Sequence, residues 1–104
     1  MQLQNIFIHH VFFWLKENNY TNREELINGL KKLSSVQTIK QFHIGIPADT
    51  NRDVVENSYS VSWMIFFDNP ADQESYQVDP IHRNFVKECS HLWNKVTVFD
   101  SVNA

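Results

Sequence analysis

Residues Ile6 to Leu15 read IFIHHVFFWL, and every position except the paired histidines is β-branched, aromatic or leucine. Such a run favours a strand, and it is apolar at both parities rather than at alternate residues. A strand apolar on one parity can leave its other face in water, whereas one apolar on both has to be covered on both sides. Helices can supply one cover and a second sheet the other. A chain of 104 residues has material for one core and one layer of helices, so the second sheet is expected from a second copy. The two parities also divide the histidines. His10 is assigned to the helix side with Ile8, Phe12 and Trp14, and His9 to the rim of the open face with Phe7, Val11 and Phe13.

The remaining segments set an order. Thr21 and Glu24 form a capping box, and Leu26, Ile27, Leu30 and Leu33 then recur at helical spacing, which predicts a helix over 22–34. Thr38 to Ile46 predicts a second strand, ended by Gly45 and Pro47, and Ala48 to Asn57 is a polar loop. Tyr59 to Phe67 (YSVSWMIFF) alternates and predicts the third strand. Asn69-Pro70 opens a short helix to about Gln77, and Asp79-Pro80 a longer one to about Asn94. In each, the Asx side chain suits the N-cap and the proline, which has no N–H to satisfy, suits the first helical position. Lys95 to Val102 closes as the fourth strand. The order βαββαβ is the ferredoxin-like split βαβ arrangement, an α+β fold with a four-stranded antiparallel sheet. The chain is read as one domain over 1–104, pairing sheet to sheet as a homodimer because the open face is too apolar to stay wet.

Several function classes drop out. The formal charge is −3 and the nine basic residues are scattered, whereas a phosphate backbone is held by clustered cations. No nucleic-acid partner is expected. Two glycines cannot build a phosphate-cradling loop, and a single cysteine, Cys89, excludes an internal disulfide. No run approaches the ~18 apolar residues of a membrane span, and the N-terminus lacks the charge of a signal peptide. A cytoplasmic protein with no membrane partner is expected.

The run Tyr76-Gln77-Val78-Asp79-Pro80-Ile81-His82 carries the chemistry. With Asp79 as N-cap, His82 falls at the third helical position, where the positive end of the helix dipole disfavours imidazolium. A neutral imidazole can remove a proton next to a carbonyl while a phenol holds the developing enolate oxygen, and neither step asks for a metal or a cofactor. Tyr76 and His82 are the candidate catalytic pair, with the alternative that His82 bonds a backbone group at the helix start and Tyr76 packs on the sheet. His10 reads as a core histidine satisfied by a hydrogen bond or as a pocket residue. Phe12, Trp14, Phe42, Val61, Trp63, Phe85 and Trp93 are the candidate ligand-pocket residues, with plain core packing as the alternative for the aromatics. His43 reads as surface or interface, and the histidine spacing supports no metal site.

Those residues, taken with His10-Val11-Phe12-Phe13-Trp14, the strand at Tyr59 and the ending WNKVTVFD (93–100), resemble the stress-responsive dimeric α/β-barrel (Dabb) family from about Ile8 to Val102. The resemblance implies the fold derived above, paired into a barrel-like dimer. One plant member of that family closes a linear polyketide by an intramolecular aldol step. Its tyrosine and histidine match Tyr76 and His82, and its opening-strand pocket histidine is matched to His10. This chain departs from the family pattern at Asp79, where a histidine is common, and at Val61 and Trp63, where the cyclase resemblance implies a polar and a smaller residue. Trp63 is expected to fill the space of a long substrate. Two readings follow: a small apolar ligand pocket with His/Tyr acid–base chemistry of the cyclase or lyase kind, or a non-enzymatic stress or assembly protein with that pocket closed by aromatic packing. Fold analogy alone adds a third, a cofactor-free monooxygenase or haem-linked relative.

Overall fold

The computed structural model describes residues 1–104. Its strands are β1 (Phe7–Leu15), β2 (Gln41–Gly45), β3 (Val61–Phe67) and β4 (Trp93–Val102), and its helices are α1 (Tyr20–Leu33), α2 (Pro70–Val78) and α3 (Pro80–Cys89). The strands form one antiparallel sheet in the order β2-β3-β1-β4, so the doubly apolar β1 sits inside it. All three helices pack on one face. The molecule is 17 Å thick in its short dimension, which is one helix layer on one sheet.

Local chemistry accounts for the boundaries. α1 starts earlier than the Thr21 capping box implies, because Asn19 is the N-cap and its Oδ1 accepts from the Asn22 backbone N–H at 2.8 Å. Asn caps slightly better than Thr. α3 stops at Cys89, five residues short of Asn94. A single 3₁₀ turn, Ser90–Leu92, follows it, and the Leu92 carbonyl then accepts from the Lys16 N–H at 2.9 Å. That bond draws the chain onto the sheet, so β4 begins at Trp93, whose ring stacks on Phe85. α1 and α3 approach closely at Gly29, where an added Cβ would lie 2.5 Å from the Cys89 Sγ.

The facing of β1 is the reverse of the expectation. Its pairing His9↔Ile65, Val11↔Trp63, Phe13↔Val61 puts the odd residues of β1 beside the odd residues of β3, and those lie under the helices with Leu26, Leu30, Leu33, Tyr76 and Phe85 in the core. His9 is therefore inside, not at the rim of the open face, and Phe7, Val11 and Phe13 share its side. Ile8, His10, Phe12 and Trp14 point to the open face. Because β1 is apolar at both parities, its own sequence could not fix which side was which; its registration against β3 does.

Candidate active site

Asp79 caps two helices at once. It is the C-cap of α2, its N–H donating to the Tyr76 carbonyl at 3.2 Å, and the N-cap of α3, its Oδ1 accepting from the Ile81 N–H at 2.8 Å. In an unbroken helix two residues six apart point roughly 120° away from each other. The break at Asp79-Pro80 cancels that divergence: the Tyr76 and His82 rings meet edge to face with centroids 4.7 Å apart.

The surroundings of each ring set its role. Tyr76 is 1% exposed, and its oxygen accepts from Nε1 of Trp63 at 3.1 Å. Burial pushes the phenol well above its ordinary range, outweighing the opposite effect of that hydrogen bond. Tyr76 thus keeps its proton and can donate it in a hydrogen bond. His82 is held below its ordinary value, chiefly by burial and then by the nearby His9, against a smaller opposing pull from Asp79 and from a backbone hydrogen bond at Gln77. It is neutral near pH 7 and can accept a proton.

Two further side chains join them. His9 is 5% exposed, its ring centroid 5.9 Å from that of Tyr76, and its Nδ1 lies 2.7 Å from Oδ1 of Asp100. An ionised carboxylate only accepts, so the proton of this contact sits on Nδ1, and Nε2 is the ring nitrogen that Asp100 leaves unengaged. Asp100 faces His9 because the two are register partners on the antiparallel pair β1 and β4.

His9, Tyr76 and His82 converge on a half-open cavity of about 170 Å³ walled by Val11, Trp63, Phe85, Trp93, Val96 and Val98, among others. Its mouth lies between α3 and the edge strand β4, where Val86, Val96 and Val98 are exposed. A larger cleft near the chain ends, about 420 Å³, brings together only one ionisable side chain, Asp68. No three His, Cys, Asp or Glu side chains stand close enough together to hold a metal ion.

Of the residues singled out in the sequence, Tyr76, His82, Trp63, Phe85 and Trp93 come together at this cavity. His10, Phe12 and Trp14 do not: they lie on the opposite face, as the reversed parity of β1 requires. Val61 is sealed in the core and lines no part of the cavity. Phe42 packs on Trp63 with ring centroids 5.5 Å apart, but it stands half exposed on the outer strand β2 beside a separate cleft with His43 and Met64. The sequence reading missed His9 and Asp100. Pairing β1 against β4 in antiparallel register is the signal that finds them.

A ferredoxin-like sheet with an apolar cavity on its helix side, where a buried phenol meets two imidazoles, defines a small α+β protein. The chain belongs to the stress responsive A/B barrel domain family, Dabb, whose profile matches residues 7–103. No curated protein matches it. Among solved structures it is similar to a protein of Arabidopsis thaliana, 23% identical, over 94% of this chain and 95% of that one, with a TM-score of 0.79. The hydroxynitrile lyase of Passiflora edulis is 19% identical over 98% and 96% of the two chains, with a TM-score of 0.78. A dimeric protein of unknown function from Bacteroides fragilis is 18% identical over 98% and 100%, with a TM-score of 0.73.

Proposed function

We propose that this chain is a cofactor-independent acid–base enzyme acting on a small, largely apolar carbonyl compound, and that it works as a homodimer paired through its open sheet face. The observation that carries the chemistry is the convergence of His82, Tyr76 and His9 on one apolar cavity. In a lyase step His82 takes the hydroxyl proton of a carbonyl adduct, the bond to the leaving carbon breaks as the C=O forms, and the imidazolium returns the proton to the departing carbanion. In a cyclase step His82 takes the proton from the carbon beside a carbonyl. The Tyr76 O–H donates to the carbonyl oxygen as charge develops there. His9, oriented by Asp100, is a second proton acceptor in reach of the same space. The Passiflora relative is a hydroxynitrile lyase, and cleavage of a carbonyl adduct likewise begins with a base that takes a proton. A cavity of about 170 Å³ is smaller than the ~300–1,000 Å³ typical of drug-sized ligands, which favours a small substrate over a long polyketide.

The dimer rests on the open face, where Ile8, Phe12, Met64, Phe66 and Phe99 share one side of the sheet. Strands ~4.8 Å apart and residues ~3.3 Å apart give the strands of that face an area on the order of 500 Å². Two such faces together reach roughly 1,000 Å², about the least that a specific interface buries. The Bacteroides relative is a dimer.

The test is solvent exchange. Small aldehydes and ketones incubated in deuterium oxide with the protein should gain deuterium beside the carbonyl and shift the ring resonances of His9 and His82. His82→Asn should abolish the exchange with the circular dichroism unchanged. If no carbonyl compound shifts those rings or exchanges, the enzyme reading fails. The non-enzymatic reading then stands, supported by the Trp63–Tyr76 hydrogen bond, which pairs the buried indole N–H with the phenol oxygen without a ligand.

A further inference from the structure

Two histidines on the open face have no part in the proposed chemistry. His10 on β1 and His43 on β2 both have Met64 of β3 as their register partner, so they flank it on the same side of the sheet. The His10 ring lies against Phe12 with centroids 4.3 Å apart, and His43 is exposed.

The charges around them are few. β3 presents Ser62, Met64 and Phe66 to this face, none of which titrates. β4 presents Lys95, Thr97 and Phe99, and the Lys95 ammonium sits over the Trp14 ring at 4.4 Å. Glu56 and Tyr59 stand with Lys95 at the far rim. Behind β1, His9 is already engaged with Asp100. Burial, then His43, then His9 hold His10 below its ordinary value, and no carboxylate appears among the charges acting on it. An imidazolium at His10 therefore finds no carboxylate of its own chain among the charges acting on it, and a dry interface makes an unpaired charge costlier still.

We propose that the open sheet face is an interface between two copies of this chain that opens on acidification: neutral His10 and His43 let the sheets meet, and their protonation parts them. This rests on the homodimer proposed above. A two-fold axis places both copies of each histidine in one interface, four imidazoles in all. Protons are then taken up as the protomers separate. Each such proton raises the dissociation constant tenfold per pH unit below the free protomer's value, so two copies of His10 alone give about 100-fold per unit.

Sedimentation equilibrium of the whole chain between about pH 8 and pH 5, where histidine changes charge, tests this, with circular dichroism recorded at each step. The expected result is a dimer at the alkaline end, a steep rise in the dissociation constant on acidification with the fold retained, and a flattened dependence in His10→Asn and still more in His10→Asn/His43→Asn. A monomer at every pH removes the homodimer itself. A dimer whose dissociation constant does not change with pH leaves the homodimer standing and overturns the gate. So does a slope that survives in the double variant, or separation that coincides with unfolding. If the substitutions weaken pairing even at pH 8, proton uptake on dilution of the unsubstituted dimer at the acid end of the range, read with an indicator dye, decides: net uptake supports the gate and none refutes it.

Discussion

Replacing Tyr76 with phenylalanine deletes one oxygen and tests both of its duties. The oxygen accepts from Nε1 of Trp63 at 3.1 Å, and both side chains are 1% exposed. The phenyl ring conserves the volume of the phenol ring, so little cavity opens; what changes is that a buried indole N–H loses its acceptor. An orphaned buried donor costs about 1–3 kcal/mol, and in a domain of this size each kcal/mol moves the melting temperature by roughly 4–8 °C. The cost depends on the donor being there. In a Trp63→Phe background no N–H is stranded, so Tyr76→Phe should cost less than about 1 kcal/mol, which makes the coupling between the two sites about 1–2 kcal/mol. Urea unfolding of the four proteins, followed by far-ultraviolet circular dichroism because the tryptophan content changes, measures that coupling. Equal costs for Tyr76→Phe in both backgrounds would refute the buried bond. Tyr76→Phe should also abolish deuterium exchange into carbonyl compounds, because the donor to the developing oxyanion is gone.

Two further outcomes follow from single contacts. Asp100→Ala frees the His9 ring to turn and to change tautomer, and exchange should slow by roughly tenfold or more while the fold persists; an unchanged rate would show that the pair is idle in the chemistry. Gly29→Ala gains about 1 kcal/mol of helix propensity but drives a Cβ to within 2.5 Å of the Cys89 Sγ, and overpacking of this kind costs about 1–3 kcal/mol. The variant should unfold at lower urea, and in a Cys89→Ala background the same change should be stabilising. A stabilised Gly29→Ala in the unsubstituted protein would contradict the contact.

What the sequence made legible was local. The two Asx-Pro pairs mark the starts of α2 and α3 because cap and first-turn chemistry is written in adjacent residues. The alternation from Tyr59 to Phe67 gives β3 for the same reason. Tyr76 and His82 were singled out through the family resemblance, but whether the two rings meet turned on the bend at Asp79-Pro80, which only the structure shows. His9 and Asp100 are 91 residues apart, and only the register of β1 against β4 unites them. The error over His10 has the same origin. A strand with one polar parity declares its faces, but Ile6 to Leu15 does not, and the clear alternation of β3 could orient β1 only once their pairing was known. Trp63 shows a subtler limit: its bulk was legible and its hydrogen bond to Tyr76 was not, so it read only as an obstruction, whereas it also holds the phenol as a donor.

Asp79 departs from the histidine common at this position in the family, and the structure gives that departure a consequence. Burial and His9 both press the pKa of His82 down, and Asp79 is among the groups that oppose them. A general base works best when its pKa lies near the operating pH, because a base pushed too low is neutral but weak. The carboxylate thus does two things from one place: it caps α3, and it keeps the imbalance at His82 from growing. Asparagine separates them, since it caps a helix as well as aspartate does but carries no charge. With Asp79→Asn the fold should hold and His82 should become harder to protonate. Because the neutral ring is the active form, the exchange rate falls as pH drops below the His82 value. That acid limb should move to lower pH in the variant, with a lower plateau rate above it because the base is weaker. A pH–rate profile of the two proteins measures both changes. An acid limb that stays in place, or moves toward higher pH, would show that Asp79 acts on the helix alone.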